Sequence, residues 1–175
     1  RQIPNPNYEK PLFERKLTEL GLEGGFRRRV MDSLGCTFAP AELRAPLVAE
    51  ESRLNCDLLQ EDRSTARGIW ALARSNYEVQ FHPEQKLSDR ILFPATPSQR
   101  NGIEDARFVR FRDEDGSEIY YATFTAFDGR VVMPELVETA DFLHFRFLTL
   151  NGPAAENKGM AIFPRKISGR YAMLS

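Results

Sequence analysis

The hydrophobic period of this chain changes once, near Ser75, and that switch limits its fold more than any other feature. Before it, apolar residues recur at helical spacing. Leu12, Phe13, Leu17 and Leu20 form one run that Gly21 stops. Phe26, Val30 and Leu34 mark a second helix, closed by Gly35. Ala39-Pro40 opens a third, which Pro46 shortens or kinks. Ser64 is placed to cap a short helix carrying Ile69, Trp70 and Leu72. The run Arg27-Arg28-Arg29 reads as a solvated helix face.

After Ser75 the period is two. Tyr77, Val79 and Phe81 alternate with Glu78 and Gln80. Short strands are then expected at Ile91–Phe93, Phe108–Arg112, Glu118–Phe124, Val131–Glu138, Phe145–Thr149, Met160–Phe163 and Tyr171–Leu174. Turn clusters divide them: Asp113-Glu114-Asp115-Gly116, Asp128-Gly129 and Ser168-Gly169. No strand is expected before residue 60. The chain therefore divides into a helical segment, 1–75, and an antiparallel β region, 76–175. A rhythm of short strands about ten residues apart belongs to a sandwich, barrel or propeller, and the partial repeat of an aromatic strand after a glycine turn favours the propeller.

A chain of 175 residues can bury a real core. Its formal net charge of -1 gives no pull toward nucleic acid or an anionic membrane. No apolar run approaches the roughly 18–20 residues a membrane helix needs. Cys36 and Cys56 read as reduced core thiols, and with no signal-peptide pattern the expected location is cytoplasmic. His82 and His144 lack partners at metal-ligand spacing, so no metal and no cofactor is expected. His82 fits a solvated loop and His144 a strand.

The densest functional signal is Gly102-Ile103-Glu104-Asp105-Ala106-Arg107, followed by the aromatic strand Tyr120–Phe127 and Asp128-Gly129. Adjacent residues of an extended segment face opposite ways, so one of Glu104 and Asp105 can face a cleft while the other pairs with Arg107. A carboxylate beside another acid in a partly desolvated cleft is raised in pKa and can donate a proton. The plainer alternative is a surface Asp–Arg ion pair. Ser75-Asn76, Asp128 and Lys158 could join the site. Their plainer roles are a cap or turn pair, a hairpin turn and a solvated cation.

Three stretches in order, residues 102–107, 120–129 and 157–171, resemble glycoside hydrolase family 130, the β-mannoside phosphorylases and related β-mannosidases. The resemblance covers roughly residues 75–175. It implies a five-bladed β-propeller with a central active site and an inverting reaction. Asp105 falls on the family's general acid, whose proton reaches the glycosidic oxygen through a sugar hydroxyl. Phosphate attacks the anomeric carbon in the phosphorylases, water in the hydrolases. The resemblance leaves phosphorolysis and hydrolysis both open; in a phosphorylase, inorganic phosphate is a co-substrate held by cationic side chains, of which Lys158 is one candidate. Ser75, Asn76, Glu104, Arg107 and Asp128 would contact an oligosaccharide. Ala106 stands where the family has Pro, which removes a stiffening ring.

Arg1 at one end and an apolar strand pattern running into Ser175 at the other suggest an internal piece of a longer protein, with further blades elsewhere. By itself such a piece would be catalytically silent. Its open sheet edges favour self-association and leave a homo-oligomer open. The alternative function is a non-catalytic carbohydrate-binding or structural propeller segment.

Overall fold

The computed structural model describes residues 2–4, 7–54 and 59–175. Cys56 lies outside the described residues, and Cys36 is an exposed free thiol rather than a core one. Backbone contacts gather the chain into two units, one formed by residues 5–74 and 151–153, the other by 1–4, 75–150 and 154–175.

Elements are numbered along the chain. Strand β1 is Gln2–Pro4 and belongs to the second unit. In the first unit, β2 (Tyr8–Glu9) leads into α1 (Lys10–Glu19), with Pro11 in the first turn where its missing N–H costs nothing. Gly21, at φ 68°, takes the left-handed conformation that ends the run. Helix α2 is Gly25–Asp32, and β3 (Thr37–Phe38) pairs antiparallel with β2. A tight helical turn at Pro40–Leu43 runs into α3 (Arg44–Leu54), and α4 is Gln60–Ala73.

Phe13, Leu17, Phe26, Val30, Met31, Leu43 and Ile69 fill this unit's core. Tyr8, Phe13 and Phe38 form an aromatic trio with centroids 5.1–5.8 Å apart. Pro46 lies in the first turn of α3, where it is tolerated. Ser64 is inside α4 rather than at its cap, and Glu61 and Asp62 supply the negative charge the N-terminus favours. The arginine run is not merely solvated. Arg27 donates to the carbonyls of Glu14 and Leu22, and Arg29 meets Glu50 at 2.6 Å.

The second unit is built on a six-stranded antiparallel sheet. Its further strands are β4 (Tyr77–Gln80), β5 (Ile103–Arg112), β6 (Glu118–Phe127), β7 (Val132–Thr139) and β8 (His144–Thr149). The order across the sheet is β1-β4-β8-β7-β6-β5. A separate ribbon pairs β9 (Ala161–Ile162) with β10 (Met173–Leu174). The described residues are thus mainly β with four α-helices, and among them the strands form one open six-stranded sheet and two two-stranded ribbons, with no closed barrel or propeller.

Two expectations about strands need correction. Three short strands precede residue 60, and β1 joins the large sheet by pairing with β4. Ile91–Phe93 is not a strand. Pro94 follows it and cannot donate to a ladder, and both Ile91 and Phe93 are exposed.

In-register pairing fixes the two faces of the sheet. Tyr77, Phe147, Val137, Ala122 and Phe108 lie in one row across five strands and share a face. Tyr77 and Phe147 stack at 4.4 Å, and Phe124 meets Phe147 edge-on. Arg107, Thr123 and Leu136 form the next row, which faces the other way.

The turn between β7 and β8 depends on Asp141. Its Oδ1 accepts from the amides of Leu143 and His144 at 2.8 Å, and its Oδ2 is 3.1 Å from His144 Nδ1. These donors, the His144 amide foremost, hold its carboxyl down at about 2. A depressed carboxyl stabilises the fold above its unfolded value near 4, and that gain is lost as pH falls through about 2. The side chain is 44% exposed, so the gain is about 1 kcal/mol rather than the full worth of the shift. Asp141→Asn should therefore lower stability by about 1 kcal/mol at pH 7, with the difference from wild type shrinking toward zero near pH 2. Urea titrations at several pH values measure this, and a difference undiminished at pH 2 would show that the charge is not its source.

Candidate active site

Glu104 and Asp105 enter the first turns of β5 at a break in the ladder. Glu104 pairs with Thr125 and Arg107 with Thr123, so β5 has one extra residue between them, a bulge. Asp105 takes up the bulge with φ 63°. Aspartate is among the few side chains that tolerate this left-handed region, at a cost of order 1 kcal/mol. Such strained positions gather at functional sites, and bulges re-aim a side chain that strict alternation would turn away.

The bulge overrides the expected alternation and places both acids within reach of cations. Asp105 Oδ2 is 3.5 Å from Arg107 Nη2. Glu104 Oε1 is 3.6 Å from Lys158 Nζ. Arg107 is itself fixed, because Nη1 donates to the carbonyl of Gly159 at 2.5 Å. Thr123 Oγ1 donates to the carbonyl of Met160, which holds the segment bearing Lys158 against the sheet. Residues 104, 105, 107 and 158 therefore form one cluster.

Gly159 matters to that cluster. Its φ is 68°, and a Cβ there would lie 2.9 Å from Arg107 Nη2. Gly159→Ala should cost about 1–2 kcal/mol, the usual penalty for an L-residue in this conformation. Urea unfolding measures the loss. A change under about 0.3 kcal/mol, the size of ordinary surface effects, would show that the left-handed conformation at 159 is not needed and that Arg107 gives way without cost.

The other expected site residues have work in the scaffold. Ser75 is buried where β4 begins. Asn76 Oδ1 accepts from the amide and hydroxyl of Thr149, both at 2.8 Å. Asp128 Oδ1 accepts from the amides of Arg130 and Val131 at 2.7 Å and so closes its own turn. Strands β4 and β5 are four positions apart in the sheet, roughly 19 Å at the usual strand spacing.

A concavity of about 210 Å³ opens beside Asp105, walled by Leu92, Ile103, Ala106, Phe108 and Phe124. Side-chain exposure of Asp105 is 59% and of Glu104 67%, so the sheet alone does not provide the partly desolvated cleft expected for a proton donor. A larger groove of about 480 Å³ lies at the far end of β5 among Arg110, Arg112, Asp113, Glu118 and Lys166. It is some 23 Å along the strand from Asp105. Lys166 is spent on Asp113, with contacts of 2.7 and 3.1 Å. That pair holds the Asp113 carboxyl below its usual range and pushes Lys166 up. At the bulge, strain at Asp105 and an anchored Arg107 coincide.

The chain is similar to a sugar phosphorylase. A β-1,2-mannobiose phosphorylase of Listeria innocua serovar 6a is 36% identical over 103 residues, 59% of this chain and 26% of that protein. The chain thus spans about a quarter of the length of the curated relative it matches. No family model and no solved structure matches. This partial and distant likeness accords with the family-level resemblance carried by residues 102–107, 120–129 and 157–171.

Three contributors to the cluster were missed from sequence. They are Thr123, the backbone of Gly159 and Met160, and the bulge itself. Thr123 and Thr125 alternate with Phe124 and Ala126, so a polar side to β6 was readable. That it faces residues 158–160 was not, since that contact spans 37 residues.

Proposed function

We propose that this chain carries the acid-donating part of a carbohydrate-active enzyme that cleaves β-mannosides with inversion, phosphate being the nucleophile. The observation that carries the reading is Asp105 in a left-handed bulge, beside an Arg107 locked to a neighbouring carbonyl. The similarity to a mannobiose phosphorylase supports the substrate class. In this reading Asp105, protonated, gives its proton toward the glycosidic oxygen through a hydroxyl of the sugar. Phosphate forms the new bond to the anomeric carbon from the opposite face. The other sugar leaves as an alcohol carrying that proton.

Arg107 steadies the acid. Lys158, which among the described residues meets only an exposed Glu104 in a loose pair, can turn toward an anion. Ser75, Asn76 and Asp128 belong to this proposal as groups lining the same sheet end, and their observed contacts make them its frame. The sheet forms part of a five-bladed propeller, and its neighbours supply the walls that Asp105 lacks in this chain. No helix among the described residues is long and apolar enough to cross a membrane. A cytoplasmic enzyme meeting short oligosaccharides and inorganic phosphate fits the proposal.

The test is incubation of the full-length protein with β-1,2-mannobiose, with and without inorganic phosphate. Formation of a mannosyl phosphate and free mannose in equal amounts, only with phosphate present, is the expected result. Free mannose alone, at the same rate without phosphate, would make water the nucleophile. No cleavage of any β-mannoside, together with measurable sugar binding, would favour the non-catalytic reading.

A further inference from the structure

The β unit buries one carboxylate that the proposed reaction does not use. Glu135, on β7, is 1% exposed. Its Oε1 accepts from the hydroxyl of Ser98 at 2.7 Å and its Oε2 from the side-chain amide of Gln99 at 2.6 Å. Gln99 is wholly buried, and its Oε1 accepts from the Ala95 amide at 2.9 Å and the Tyr77 hydroxyl at 3.0 Å. Thr96 closes the set through a 2.8 Å contact with Ser98. Burial pushes the Tyr77 phenol up, so it stays a donor. A buried carboxylate is costly unless its oxygens are satisfied, and losing one partner costs far more than an exposed pair is worth.

What the network holds is the approach to the bulge. Gln99 is the last residue of the tight turn Pro97–Gln99, and its carbonyl accepts from the Gly102 amide at 2.9 Å. Asn101 donates to the Phe127 carbonyl, and Phe127 donates back to Gly102. Two residues later comes Glu104, then Asp105. Glu135 also pairs across the sheet with Phe124, which borders the concavity beside Asp105.

We infer that Glu135 is a positioning residue for Asp105, acting through Gln99 and Ser98 to fix the turn from which the β5 bulge departs. The inference rests on the reading of Asp105 as proton donor. Glu135 touches no substrate in this arrangement. Its charge-assisted bonds set where Gly102 sits, and Gly102 sets where the bulge begins. Small misplacement of a reacting group is enough to lower turnover roughly 10–10²-fold.

Steady-state kinetics on the full-length protein test this with four variants. Glu135→Gln should lower kcat roughly 10–10²-fold, with KM for the mannoside nearly unchanged. Its amides at Asn101 and Gly102 should exchange with solvent faster than in wild type. The double variant Glu135→Gln/Gln99→Glu restores one carboxylate facing one amide with the order reversed, and should recover most of the lost kcat. If Glu135→Gln does not fold, Ser98→Ala removes one donor, keeps the carboxylate, and should still lower kcat without moving KM. Unchanged kcat in Glu135→Gln or in Ser98→Ala, or no recovery in the double variant, overturns the inference. Asp105→Asn is the control: if it is silent while Glu135→Gln is normal, only the role of Glu135 fails. If Asp105→Asn is fully active, the reading of the site fails with it.

Discussion

Asp105→Asn in the full-length protein should lower turnover of a β-mannoside by roughly 10²–10⁴-fold, the usual worth of a positioned general acid. The substitution keeps the shape of the side chain and removes its transferable proton. Asparagine tolerates the left-handed backbone almost as well as aspartate, so the bulge at φ 63° survives. Arg107 stays anchored through Gly159 whether or not position 105 is charged. The thermal midpoint should therefore stay close to wild type. Turnover is measured by formation of mannosyl phosphate and of free mannose from the disaccharide, and stability by circular dichroism on the same preparation. Near-normal turnover would assign Asp105–Arg107 to the ordinary surface pairs that contribute little.

The second large effect is on the sheet. Phe147→Ala should cost about 3–5 kcal/mol, as large-to-small core substitutions of aromatics do. Phe147 is 2% exposed, stacks on Tyr77 and meets Phe124 edge-on. It sits in the middle of the row that joins β4, β8, β7 and β6, so the cavity would open where four strands share one face. The loss is a large fraction of the 5–15 kcal/mol that holds a typical domain together. Urea unfolding measures it. A loss under 1 kcal/mol would mean that this face is not the packed core described above.

What could be read from the sequence was mostly local. Strand β8 alternates because one face is buried and the other is not, whereas β6 is buried on both faces from Ala122 to Ala126; the expected bounds of β6, β7 and β8 all fall within three residues of the observed ones. Strand β5 was expected only from Phe108, since Glu104-Asp105-Ala106-Arg107 has no apolar alternation to report. The cluster of acids and arginine was visible as composition. The bulge that shapes it was not, because a register shift is a property of two strands and is written in neither alone.

Pairing of β1 with β4 joins residues some 75 positions apart and left no local trace. Glu135 falls inside the expected strand Val131–Glu138, with no neighbouring residue in the sequence that sets it apart. Only the return of residues 95–99 over the sheet makes it a buried, satisfied carboxylate. Ser75, Asn76 and Asp128 were singled out by residue type, and type does not show whether a polar group is already occupied.

In the proposed reaction a β-mannoside is bound with Asp105 at its scissile bond. The most direct test is a crystal structure of the full-length Asp105→Asn variant soaked with β-1,2-mannobiose and phosphate. The expected result is the side chain at position 105 within about 2.6–3.2 Å of a sugar hydroxyl or of the glycosidic oxygen, with phosphate on the far side of the anomeric carbon. A disaccharide bound elsewhere, for example in the groove between Arg110 and Lys166, with no sugar atom near position 105, would contradict it.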